Sequence, residues 1–103
     1  MAITSKQRSF LRGLAQNADT IIQIGKGGIT ESVKESVSDA LNARELVKGK
    51  VLENSMLNAR EACDILAEAL GAEQVQVIGT KFVLYKRNSN DPKIELPKER
   101  KRQ

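Results

Sequence analysis

TIIQIGKGGIT, Thr20 to Thr30, is the stretch whose reading decides the fold. Four of its first five residues are β-branched, Gln23 being the exception, and the run stops at a glycine, the pattern of a short strand. Gly25, Gly27 and Gly28 follow within four residues, with Lys26 among them. Thr30 then offers an N-cap hydroxyl, and Glu31 suits the positive end of a helix. Val33, Val37, Ala40 and Leu41 continue at helical spacing, with Glu31, Glu35 and Asp39 on the opposite side. A strand followed by a helix needs a crossover to reach the next strand, and crossovers are normally right-handed. The glycine loop therefore lies at the carboxyl end of the first strand, against the amino end of a helix.

The flanking segments extend this pattern. TSKQ, Thr4–Gln7, has capping-box spacing, and Leu11, Leu14, Ala15 and Ala18 follow at helical intervals, giving a helix over 5–17. Arg8 and Arg12 are four apart and share a face, with Lys6 nearby. ELVKGKVL, Glu45–Leu52, alternates as a strand with Lys48 and Lys50 on one face and Val47, Gly49 and Val51 on the other. Asn58 and Glu61 have capping-box spacing for a third helix, and Gly71 is placed to end it. EQVQVIG and KFVLYKR read as two strands joined at Gly79–Thr80. The order is αβαβαββ: a small two-layer α/β sandwich with a mixed four-stranded sheet, over residues 1–87. Residues 88–103 contain Pro92, Pro97 and a run of charges, and read as a disordered tail.

Composition narrows the function classes. The chain has 103 residues, enough for one modest core, and with 3% aromatics that core must be aliphatic. No apolar run approaches the ~20 residues that span a bilayer. The amino terminus lacks a hydrophobic signal core, and the single cysteine, Cys63, forms no internal disulfide. Both features suit a cytoplasmic protein. Net charge is +4, split evenly between body and tail, so the placement of charge matters more than its total.

The glycine loop next to a helix amino end is a candidate phosphate-binding corner, with Gly25, Lys26, Gly27, Gly28 and Thr30 as its residues. A plain tight turn rich in glycine is the bland alternative. GxxxxGK[ST] and GxGxxG are both absent, which argues against a nucleotide. GxxG between two elements is how KH-type modules clamp a nucleic-acid backbone. Lys6, Arg8, Arg12 and Lys26 would then belong to one basic surface, with Lys48, Lys50 and Arg87 as further candidates. No histidine, no GxSxG elbow and no Cys/His cluster is present, so neither an enzyme, a cofactor nor a metal is expected. Tyr85 and Phe82 read as core, and Cys63 as a small buried hydrophobe.

Three stretches together resemble a known family: QRSFLRGLAQNADTIIQIGKGGIT, ALNARELVKGKVL and AEALGAEQVQVIGTKFVLYKR. They look like the CRM domain (chloroplast RNA splicing and ribosome maturation), in its stand-alone bacterial YhbY form, from Thr4 to about Arg87. The resemblance implies a fold like the C-terminal domain of translation initiation factor three. It also implies a monomeric, non-catalytic RNA-binding protein that associates with ribosomal RNA in precursors of the large subunit. The family's GxxG falls on Gly25, Lys26, Gly27 and Gly28, and its basic first helix on Arg8 and Arg12. The family commonly has histidines where this chain has Gln16–Asn17 and Arg44, and a β-branched residue where it has Gly49. Glycine there is expected to weaken the second strand by about 1 kcal/mol. A basic protein-interaction module and a KH-like single-stranded nucleic-acid binder are the other readings of the same surface.

Overall fold

The computed structural model describes residues 3–88, 90 and 92–97. The elements follow the expected order: α1 (Ser5–Ala15), β1 (Thr20–Ile24), α2 (Glu31–Arg44), β2 (Leu46–Val51), α3 (Ala59–Leu70), β3 (Glu73–Ile78) and β4 (Lys81–Tyr85). Local chemistry sets their ends. The Thr4 hydroxyl accepts from the Gln7 amide at 3.1 Å while the Thr4 amide donates to the Gln7 side chain at 3.0 Å. Asn58 and Glu61 repeat this reciprocal arrangement at the start of α3. Gly71, with φ of 67°, closes α3 in the left-handed region.

The sheet order is β1-β2-β4-β3. β1 pairs parallel with β2, and β4 pairs antiparallel with both β2 and β3. α2 and α3 cover one face, enclosing Ile24, Val37, Leu41, Val47, Leu66 and Phe82. α1 covers part of the other, over Val75, Val83 and Tyr85, through Leu11 and Ala15. α1 thus adds a third layer to the expected two. Its apolar stripe needs a partner, and the sheet's second face carries the apolar residues that supply one.

Cys63 is fully buried among these side chains. Burial pushes its thiol up to about 11, with smaller and opposing effects from Arg60 and Asp64. It is therefore a neutral packing group at physiological pH. Gly49 is the register partner of Phe82, and a Cβ on it would stand 2.5 Å from the ring's Cζ. The glycine that weakens a strand by propensity here makes room for the fully buried ring of Phe82.

The chain does not leave the domain at Asn88, and this corrects the reading of the tail over its described part. Glu45 is completely buried at the end of α2, with φ of 67°. One of its carboxylate oxygens accepts from the Asn88 amide at 2.6 Å, and the other from Lys93 and Ile94 at 2.8 and 2.7 Å. Gln7 Nε2 donates to the Pro97 carbonyl at 3.1 Å, and Ile94 and Leu96 pack on the α1 core. A buried carboxylate is tolerated because charge-assisted hydrogen bonds satisfy it. Composition concealed this anchor, because its acceptor lies more than 40 residues upstream. The basic end, 98–103, lies outside the described residues. Burial, and secondarily the Glu45 charge, raise the Tyr85 hydroxyl above its ordinary range, while Arg87 opposes the shift. That hydroxyl has no hydrogen-bond partner among the described residues.

Glu45→Gln tests the anchor with an isosteric change. The amide places an NH2 where a carboxylate oxygen met an N–H, leaving a buried donor unmatched at a cost of about 1–3 kcal/mol. Trypsin cleavage after Lys93 is expected to speed up about tenfold, with most of the domain still folded by circular dichroism. An unchanged cleavage rate would show that the carboxylate does not hold the segment.

Candidate nucleic-acid interface

The loop leaves β1 beside the end of β2, where the Leu52 amide donates to the Ile24 carbonyl at 2.8 Å. Gly25 to Gly28 form a turn closed by the Gly28 amide on the Gly25 carbonyl at 3.0 Å. Lys26 and Gly27 sit exposed at its tip. The three glycines have different reasons to be there. Gly28 has φ of 71°, which an L side chain resists. A Cβ on Gly25 would make ordinary contacts with Leu52 and Asn54. Gly27 lies outside the left-handed region and a Cβ on it would meet nothing within 4 Å. Neither backbone nor packing requires glycine at position 27, and its outer side is free for a ligand's backbone.

The start of α2 is already partly occupied. The Thr30 hydroxyl accepts from the Val33 amide at 3.2 Å, so its role in the fold is the N-cap. Glu31 follows, paired with Lys34 at 3.3 Å. Any anion at this corner meets the exposed turn and Lys26 rather than a bare helix terminus.

The structure sorts the remaining cations into three groups. Gln23, Lys50, Lys81 and Ile78 are successive register partners across all four strands, on the face that carries α1. The last residue of α1, Ala15, reaches only to Lys48, whose Nζ donates to its carbonyl at 3.1 Å. Lys48 therefore satisfies a carbonyl at the end of α1 from outside the helix, whose C-cap residue is Gln16. The row beyond it is open, with Gln23 and Lys81 exposed, Lys50 half-buried and Ile78 63% exposed. Like charges facing each other across antiparallel strands destabilise a sheet. Lys50 and Lys81 are such a pair, their row contains no carboxylate, and it adjoins the glycine turn. Sequence reading missed Lys81 because only the β2–β4 register places it opposite Lys50.

Lys6, Arg8 and Arg12 lie on α1, away from Lys26, on the side of the sheet where α1 meets β3. Arg8 Nε donates to the Gln74 carbonyl at 3.1 Å, while Lys6 and Arg12 are exposed. Arg60 of α3, also missed, joins them at the β3 edge. Arg87 borders the docked C-terminal segment with Gln7 and Lys93. Among the described residues no cluster of metal-ligating side chains occurs, and no helix is long and apolar enough to cross a membrane.

Comparison with known proteins now assigns the chain to a family. The model of the CRS1 / YhbY (CRM) domain matches residues 3–86. The chain belongs to the CRM domain family. "Probable RNA-binding protein YqeI" of Bacillus subtilis is 38% identical over 95 residues, which is 92% of this chain and 99% of that protein. An RNA-binding protein of Haemophilus influenzae is 36% identical over 96 residues, 93% of this chain and 96% of its own length. The solution structure of a Staphylococcus aureus protein, described as a candidate RNA binder, superposes with a TM-score of 0.70 at 44% identity. The match covers 94% of this chain and all of that one. The expected αβαβαββ order and mixed sheet are thus those of an RNA-binding family.

Proposed function

We propose that this CRM domain binds structured RNA through its sugar–phosphate backbone, at the Gly25–Gly28 turn. Lys26 supplies charge at the tip, and the Lys50–Lys81 row continues the surface across the open sheet face. Lys6, Arg8 and Arg12 of α1 stand apart from this surface, on the side where α1 meets β3. Recognition is by shape and charge, with weak base readout. The observation that carries this reading is Gly27, an exposed glycine with no need of its own to be one. Stacking of splayed bases has little support, since Phe82 and Tyr85 are buried in the core and Phe10, 40% exposed on α1, is a single ring without a second to form a platform. That favours structured RNA over a KH-like single strand. On the family resemblance, the RNA is ribosomal, in an assembling large subunit, and the protein is a monomeric, non-catalytic cytoplasmic factor.

Sedimentation of a cell lysate tests this. The protein is expected to migrate with free large-subunit particles and to return to the top of the gradient after ribonuclease or high salt. A complex that survives ribonuclease would instead support a protein partner. At the level of single residues, Lys26→Ala is expected to weaken binding and lower the slope of log K against log salt by about one. An unchanged slope would remove Lys26 from the contacts.

A further inference from the structure

The β3 edge of the sheet carries a second basic site that the glycine turn does not explain. α1 and α3 stand on opposite faces there, and between them opens a groove of about 710 Å³. Arg8 and Arg12 form one lip and Arg60 the other, with Gln74 and Gln76 of β3 between them. Gln74 is the fixed centre. Its carbonyl accepts from Arg8 Nε at 3.1 Å, and its side-chain oxygen accepts from Arg60 Nη1 at 2.7 Å. Its amide nitrogen donates to Asp64 Oδ1 at 2.7 Å, and Asp64 lies 3.7 Å from Arg60. Two guanidinium groups are thus held in place on either side of one strand. The side chain of Arg12, one turn along from Arg8, makes no hydrogen bond or ion pair among the described residues.

Preplaced guanidinium forks match phosphate oxygens, and ordering them beforehand lowers the cost of binding. Two acids moderate the charge: Asp64, tied to Gln74, and Glu73 on the groove wall. Three arginines still leave the groove cationic. A peptide strand added to β3 fits less well. The register shifts between Gln74 and Gln76, and Arg8 occupies the Gln74 carbonyl, both of which blunt an edge against pairing.

We infer that this groove is a second RNA-backbone site, and that the domain bridges two RNA segments instead of gripping one. The inference rests on the RNA-binding reading above. Its geometric basis is the strand order. The glycine turn follows β1 and the groove lies along β3, the two edges of the sheet, three strand spacings or ~14 Å apart. α1 stands on one face between them and α2 with α3 on the other. A helix seated on the turn reaches the groove only by crossing all three strand spacings, past α1 on one face or past α2 and α3 on the other.

The test mixes the protein with two short RNA duplexes, one labelled with a fluorescence donor and the other with an acceptor. The unmutated protein is expected to bring them together and give energy transfer. R12Q/R60Q should lose the transfer, while its affinity for a single duplex, seated on the glycine turn, stays within about threefold and its salt slope is unchanged. Gly27→Asp should also lose the transfer, but with a large fall in single-duplex affinity. Circular dichroism melts confirm that each variant folds. Transfer that persists in R12Q/R60Q would exclude the groove. A single-duplex loss in R12Q/R60Q as large as that of Gly27→Asp would show one continuous site. Binding without transfer by the unmutated protein would remove the bridge and leave the RNA reading standing. Failure to bind either duplex would overturn that reading and this inference with it.

Discussion

Gly27→Asp is expected to cut RNA affinity on the order of 100-fold, about 2.8 kcal/mol, while leaving the melting temperature within about 2 °C of the parent. The fold tolerates the change because position 27 is exposed, lies outside the left-handed region, and has nothing within 4 Å of a new Cβ. The turn's own hydrogen bond, Gly28 to Gly25, is untouched. The binding loss follows from Coulomb's law. Two like charges ~4 Å apart repel by ~4 kcal/mol at an effective dielectric of about 20. Solvent and salt screen part of that at an exposed turn. Gly27→Ala separates the causes, since it adds bulk without charge. A modest loss with alanine would show that another backbone comes into contact there. Gly28→Ala is the contrasting control: with φ of 71° it strains the loop itself, so any loss carries a stability cost. Filter binding or fluorescence anisotropy on a structured RNA measures the effect. Parent-like affinity in Gly27→Asp would take the turn out of the interface.

The order of elements was legible because each has its own local signal. Thr4–Gln7 and Asn58–Glu61 cap helices within four residues, and Gly71 ends one alone. The glycine turn was legible for the same reason. What stayed hidden depends on register between distant segments. Lys48 and Lys50 alternate identically in the sequence, yet one satisfies a carbonyl at the end of α1 and the other faces open space, because α1 ends at the Lys48 row. Arg8 and Arg12 were expected on one surface with Lys26. The strand order instead places α1's arginines towards β3 and the turn after β1. Lys81 and Arg60 carried no signal beyond being cationic. The Glu45 anchor was invisible because one residue at a helix end binds the backbone of a segment whose prolines and charges read as disorder.

Gly49→Val is expected to destabilise the domain by about 3 kcal/mol, at the upper end of the cost of overpacking a core. Strand propensity alone gives the opposite sign, since valine is favoured in β structure and glycine is not. The difference lies in Phe82. Its ring is fully buried and lies over the Gly49 backbone, with Cζ, Cε1 and Cε2 at 2.5, 2.9 and 3.1 Å from the position of a Cβ. Even an alanine methyl has to displace the ring, and the ring is confined by the side chains of α2 and α3 around it. For a domain of this size each kcal/mol moves the melting temperature by about 4–8 °C, so a drop of more than about 10 °C should be seen. Phe82→Leu supplies the decisive comparison. Alone it leaves a gap over Gly49 and lowers stability. Combined with Gly49→Val it should recover at least about 1 kcal/mol relative to the sum of the single changes, because the branched side chain then fills the space the ring vacated. Additive losses would mean that the two positions do not share one volume. Positive coupling would show that the two strands share one volume: the glycine in β2 leaves the space that the aromatic ring of β4 fills.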